Sequence, residues 1–185
     1  MNIFILDYHP VAAAKLQCDK HIVKMILESA QMLSTAHRLL DGRMSIGQSK
    51  TGRKAKLWKL DDEVRDTVLY KAVHINHPCT IWTMESRANY DWHFQHFKAL
   101  HDEYQYRYGK THRSFTELAY LLKDAPDNIP YEGLTPFKLA MGAAPECINP
   151  ADPVGSYRAF YQTKQDRFKM TWTKREVPEW FQVTA

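Results

Sequence analysis

The chain has 185 residues, 44% of them hydrophobic, with 25 Lys and Arg against 21 Asp and Glu, a formal charge of +4 and a pI near 8.9. That length suits one globular domain over residues 1–185, and the charge permits a polyanionic partner without demanding one. No apolar run of about 18 residues is present to span a membrane. Met1 to Leu6 lacks signal-peptide features, and Cys18, Cys79 and Cys147 are too few and too far apart for a disulfide framework. A cytoplasmic monomer with reduced thiols is expected.

Taken in order, Met1 to Leu6 is a short apolar run that ends in Asp7, and Pro10 suits the first position of a brief helix over Val11 to Leu16. Asp19 is placed to cap a long helix that runs to Leu40 and stops at Asp41-Gly42. At 100° per residue, Lys20, His21, Lys24, Glu28, Gln31, Thr35 and Arg38 fall within one sector of about 100°. The other sides are apolar, from Ile22 and Val23 to Leu40, so most of the circumference is expected to be buried. Within the strip, His21, Lys24 and Glu28 stack at spacings of three and four, close enough to share protons or charge. Glu28 suits a developing cation, and Lys24 suits an ion pair, a phosphate or an amine nucleophile. The same spacing also describes an ordinary amphipathic helix with a Lys/Glu pair.

From Arg43 to Lys59 the composition turns to Gly, Ser and base, and Arg43, Lys50, Arg53, Lys54, Lys56 and Lys59 stand without an intervening acid. A mobile basic loop that gains affinity for phosphates by counterion release is expected over 43–59. A helix over Asp62 to Val73 leads to His77-Pro78, a helix start whose free N–H groups suit a neutral imidazole or an anion, or an ordinary hydrogen-bonded turn. Ser86 caps a long helix to Tyr108 that closes at Gly109 and carries Tyr90, Trp92, Phe94, Phe97, Tyr104 and Tyr108, rings expected in the core. Ser114 to Glu117 has the form of a capping box before a helix to Lys123. A Pro-rich stretch from Ala125 to Pro153 reads as ordered loop, and Asp152-Pro153 opens a last helix to about Lys169. The basic and aromatic tail, 170–185, follows, with Trp172, Lys174, Arg175 and Trp180 interleaved as phosphate and base contacts would require. No long period-two run argues for a sheet. The predicted fold is all-α, a compact helical bundle with long loops.

Two clusters hold soft ligands, Cys18-x-x-His21 and His74-x-x-His77-x-Cys79. Neither forms the two close pairs typical of a zinc site, and no metal is expected. The chain also has no Gly-rich phosphate loop, no GxSxG elbow and no HExxH.

The string Asp19-Lys20-His21-x-x-Lys24-x-x-x-Glu28, then Asn76-His77-Pro78-x-x-x-Trp82, then Glu103-Tyr104-x-x-Arg107-Tyr108-Gly109, distantly resembles small phage proteins of the T-even phage pyrimidine-dimer DNA glycosylase (endonuclease V) family. The similarity covers most of the first 110 residues. It implies a compact helical enzyme that bends duplex DNA, flips a base, breaks its glycosidic bond and cleaves the abasic strand without a cofactor. His21 and Glu28 stand at the family's His-to-catalytic-Glu spacing, and His77 and Arg107 match its later motifs. The resemblance makes Glu28 the stabiliser of an oxocarbenium-like sugar and places flanking phosphates on Lys20 and His21. Arg53, Lys54, Lys56, Lys174 and Arg175 would then grip the duplex.

The departure lies at the nucleophile. The family exposes a Thr by losing its initiator Met, whereas here Asn2 follows Met1 and is large enough to leave the Met in place. An α-amine titrates close enough to neutrality for Met1 to serve, with Lys24 as the substitute. A DNA base-modifying enzyme and a non-catalytic nucleic-acid-binding protein are the competing expectations.

Overall fold

A computed structural model of the chain describes residues 1–49 and 51–183. Lys50 and the last two residues of the predicted tail lie outside the described residues. Seven α-helices and one two-stranded sheet are present among them: α1 (Pro10–Lys15), α2 (Asp19–Asp41), β1 (Arg43–Gln48), β2 (Lys54–Lys59), α3 (Glu63–Val68), α4 (Pro78–Glu85), α5 (Arg87–Tyr108), α6 (Arg113–Leu122) and α7 (Pro153–Gln162). The fold is therefore helix-rich but not all-α.

The two long helices, α2 and α5, pack on each other; α1 lies on α5, and α4 and α6 lie on α2. Their shared core explains the aromatic content of α5, because Tyr90, Trp92 and Phe97 are buried as expected and Trp92 meets Trp82 edge to face. Ser86 caps α5 by accepting the Asn89 N–H, and Gly109 closes it in the left-handed region at φ 64°, where a Cβ would be strained. No helix among the described residues is long and apolar enough to cross a membrane.

Several boundaries moved for local reasons. Cys18, not Asp19, is the N-cap of α2. The Asp19 carboxylate instead accepts hydrogen bonds from Thr171 and Thr173, which strap the tail to the start of the helix. The expected capping box at Ser114 is displaced, since the His112 ring accepts the Ser114 N–H and Glu117 pairs with Arg113. The helix expected over Asp62 to Val73 ends at Val68, and the one from Pro153 gives way to a 3₁₀ turn at Thr163–Asp166.

The expected mobile loop is a β-ribbon with Arg43 opposite Lys59 and Gln48 opposite Lys54. Its turn is closed by Ser49 N–H to Arg53 O at 2.7 Å and by Gly52 at φ 76°. The alternation of Met44 and Ile46 with Arg43 and Ser45 was the available strand signal, masked by the density of bases.

Candidate active site

The first six residues do not form a strand. They run through the core in irregular conformation, with Ile3, Phe4, Ile5 and Leu6 buried, each contributing ~1.5–3 kcal/mol by the area it hides from water. Backbone carbonyls along this run are held by Gln17, which donates to Ile3 O, and Arg158, which donates to Leu6 O. Asn2 adds a third anchor by donating to Ala140 O at 2.8 Å. Phe4 sits in the left-handed region at φ 56°, a costly conformation for a bulky residue that the packing around it must sustain. Its ring stacks on His21 at 4.6 Å.

This threading brings the start of the chain onto the polar strip of α2. Glu28 accepts the Asn2 backbone N–H at 3.0 Å, lies 3.7 Å from the Met1 α-amine and pairs with Lys24 at 3.3 Å. The carboxylate is nearly buried, whereas Lys24 reaches into solvent. Together they line a cavity of about 360 Å³, bounded also by Phe4, Lys20, His21, Phe160, Lys164, Arg167 and Phe168. That volume falls at the lower end of sites for small organic ligands.

His21 does not act as a charged phosphate clamp. Burial, with Lys24, Lys164 and Lys20 nearby, pushes its pKa down to about 3, so the ring is neutral at physiological pH. The Tyr161 hydroxyl accepts the Cys18 N–H and lies 2.7 Å from His21 Nδ1; donating its own hydrogen there leaves the imidazole proton on Nε2. Lys20 does reach the cavity, with its Nζ 4.3 Å from the Phe168 ring centre.

Of the remaining predicted strip, Gln31 is half-buried, and Thr35 and Arg38 are buried structural groups. All five guanidinium donors of Arg38 are engaged by Tyr70 O, Trp58 O, Leu69 O and two oxygens of Asp66. Val23 and Leu27, expected inside, are exposed beside Lys20 and Lys24.

Other predicted contacts divide. Arg107 is fully buried between Asp19 at 3.0 Å and Glu103 at 3.1 Å, so it cannot meet DNA; it ties α5 to the start of α2 and to Lys15 O at the end of α1. Arg175 pairs with the same Glu103, and Lys174 donates to Tyr106 O. The tail is correspondingly not a free arm, since Trp172 and Phe181 are buried and pack on each other. Arg53, Lys54 and Lys56 are exposed on the ribbon. His77 caps α4 through the Cys79 N–H, and burial together with the nearby positive Met1 amine lowers its pKa.

Lys164 is the site residue that sequence periodicity did not single out. It was legible only as one base among aromatics, yet it is buried with its Nζ 3.3 Å from the Phe160 ring centre. Burial and Arg167 lower its pKa, and no carboxylate among the described residues pairs with it. The cysteine and histidine clusters do not converge: among the described residues no three His, Cys, Asp or Glu side chains gather as a metal site would need. Cys79 is buried near Asn2 and Tyr157, and burial raises its thiol to about 11.

Comparisons with protein-family models, curated proteins and solved structures return no match.

Proposed function

We propose that the chain is a DNA repair enzyme, a base-excision glycosylase with abasic-site lyase activity on damaged pyrimidines such as pyrimidine dimers in duplex DNA. The observation that carries this is the Met1 α-amine 3.7 Å from the Glu28 carboxylate at the wall of a cavity rich in cations. An amine nucleophile beside one carboxylate is the minimum apparatus for imine chemistry at a sugar carbon.

The proton inventory closes with these two groups. The Met1 ammonium gives a proton to Glu28, and the free amine attacks C1′ as the bond to the base breaks and the base departs with the bonding electrons. Glu28 passes its proton to the base, then takes a second from nitrogen and delivers it to O4′ as the sugar ring opens. The third hydrogen stays on the iminium. Removal of a C2′ proton by Glu28 then expels the 3′ phosphate with its electron pair. Lys20, Lys24 and Arg167 provide positive charge for the flanking phosphates, and damage lowers the unstacking cost of extruding the nucleotide, a few kcal/mol.

The test is Glu28→Gln in single-turnover cleavage of a duplex carrying one pyrimidine dimer or one abasic site. Shape is kept and charge is lost, so duplex affinity persists while the rate falls on the order of 100-fold or more. Cleavage at the wild-type rate, or wild-type protein that neither releases a base nor is trapped by borohydride, would exclude this chemistry.

A further inference from the structure

The ribbon β1–β2 stands apart from the cavity and is built to be rigid at its root. Arg38 donates to Trp58 O at 2.8 Å, Asp66 accepts the Leu60 N–H at 3.0 Å, and both partners belong to the buried Arg38 network. The chain leaves α2 through Gly42, where a Cβ would come within 2.4 Å of Arg38 O and 3.3 Å of Lys59 O. Only glycine permits that close exit. Beyond the root the ribbon is largely exposed.

Its two faces differ. Opposite pairs share a face, so Met44/Trp58, Ile46/Lys56 and Gln48/Lys54 form one side. There Met44 and Ile46 are more than half exposed, flanked by the Lys54 and Lys56 side chains. On the other side Leu57 lies over Gly47, Arg43 pairs with Asp61 at 2.9 Å, and Lys59 is exposed; beside it no described residue offers an exposed apolar side chain comparable to Met44 or Ile46. The open face is thus cationic with apolar groups between the charges. Among the described residues no acid stands between Arg43 and Leu60.

We propose that this β-ribbon docks in a groove of duplex DNA away from the nucleotide held at Glu28. The inference rests on duplex DNA as the partner and goes beyond it by naming a second, separate contact. A two-stranded ribbon fits the major groove, about 12 Å wide, and apolar side chains between lysines suit thymine methyls and sugars between phosphates. From Glu28 to Asp41 the helix covers about 20 Å at 1.5 Å per residue. That is the length of about six base pairs at 3.4 Å each. A cationic cavity at one end of α2 and a cationic ribbon at the other favour one long polyanion over a lipid surface.

The experiment measures affinity for undamaged duplex across about 50–200 mM salt, so it does not depend on chemistry. Lys54→Ala/Lys56→Ala is expected to lower the slope of log affinity against log salt by about two, one per phosphate contact. A control with the same loss of charge, Lys110→Ala/Lys123→Ala, is expected to keep the wild-type slope. Equal slopes for the two variants overturn the proposal, because the effect would then be one of net charge. With wild-type protein, trimming the duplex on one side of a dimer to fewer than about six base pairs is expected to weaken binding, and trimming the other side is not. Indifference to both trims overturns the proposal, as does ribbon-dependent binding to anionic phospholipid vesicles with none to duplex. If duplex binding follows the ribbon but no base is ever released, the ribbon stands and the glycosylase assignment falls.

Discussion

Lowering the pH from 7 to 5 is expected to destabilise the fold by several kcal/mol through histidines that the core keeps neutral. Burial, with Lys24, Lys164 and Lys20 alongside, takes His21 to about 3. Burial and Arg65 take His37 to about 4, against a smaller opposing effect from Asp41, and burial takes His96 to about 3. In the unfolded chain each titrates near its ordinary value of 6.5. Between the two values the unfolded state binds protons that the folded state refuses, so stability rises with pH; it is complete above about 6.5 and lost as pH falls toward 4 and 3. At pH 5 each histidine forfeits about 2 kcal/mol, and the three together roughly 6 kcal/mol. That is comparable to the whole stability of an ordinary domain, 5–15 kcal/mol. The Asp19, Asp41 and Asp66 carboxyls, held low by their hydrogen bonds, shed stability only below their ordinary value of 3.8 and so do not blur this window. Urea unfolding at pH 7, 6 and 5 reads the effect directly. Unfolding free energies equal to within about 1 kcal/mol at pH 7 and 5 would refute buried neutral histidines as the source of acid sensitivity.

Two further outcomes separate structure from chemistry. Arg107→Met is expected to cost about 1.5–3 kcal/mol for each charged hydrogen bond lost, because Asp19 keeps Thr171 and Thr173 and Glu103 keeps Arg175. Its retained soluble fraction should bind duplex with the wild-type salt slope, and a lowered slope in folded protein would return Arg107 to the DNA interface. Covalent trapping with borohydride assigns the amine: acetylation of the N-terminus is expected to abolish it, whereas Lys24→Ala and Lys164→Ala slow it. Trapping that survives N-terminal acetylation but not Lys164→Ala moves the nucleophile to α7's extension.

Helix periodicity made α2 and α5 legible, along with the cap at Ser86, the stop at Gly109 and the Pro starts at residues 10, 78 and 153, because these depend on side chains within a turn of one another. The stacking of Lys24 on Glu28 was visible for the same reason. What spacing could not give was depth. Thr35 and Arg38 share a stripe with Glu28, yet two turns farther along the helix the stripe runs under α3 and the ribbon root, where the buried Arg38 guanidinium donates five hydrogen bonds to four residues. Long-range partners are likewise absent from local pattern: Arg107 reads as a surface base until Asp19 and Glu103 enclose it, and Lys164 as a tail base until Phe160 lies under it. The ribbon was hidden by composition, since alternating strands made of Lys, Ser and Gly look like loop when their apolar members are few.

The charge arrangement around the cavity bears on what Glu28 would have to do. Five cationic groups, the Met1 amine, Lys20, Lys24, Lys164 and Arg167, line a space that holds one carboxylate. Such a field draws in a phosphate backbone, and it also penalises every protonated intermediate formed there. His21 is no help as a base, for the same burial and neighbouring lysines that push it to about 3 leave it unable to hold a proton near neutrality. In the proposed reaction two protons leave the amine nitrogen, one for the base and one for O4′, and elimination moves a third from C2′. Among the side chains lining the cavity, Glu28 alone combines negative charge with contact to the amine, so all of them converge on it. Its mobility is restricted by the Asn2 N–H, which fixes Oε2 and leaves Oε1 toward Lys24. Glu28→Asp would withdraw the carboxylate by one methylene from an amine already 3.7 Å away and break the Asn2 contact. Proton transfer needs hydrogen-bond reach, so the 3.7 Å pair must already close by about half an ångström when substrate binds, and a further misplacement of about 1 Å can cost on the order of 100-fold. Glu28→Asp should therefore be nearly as slow as Glu28→Gln despite keeping its charge. Wild-type rates in the aspartate variant would mean that charge in the cavity matters and contact with the amine does not.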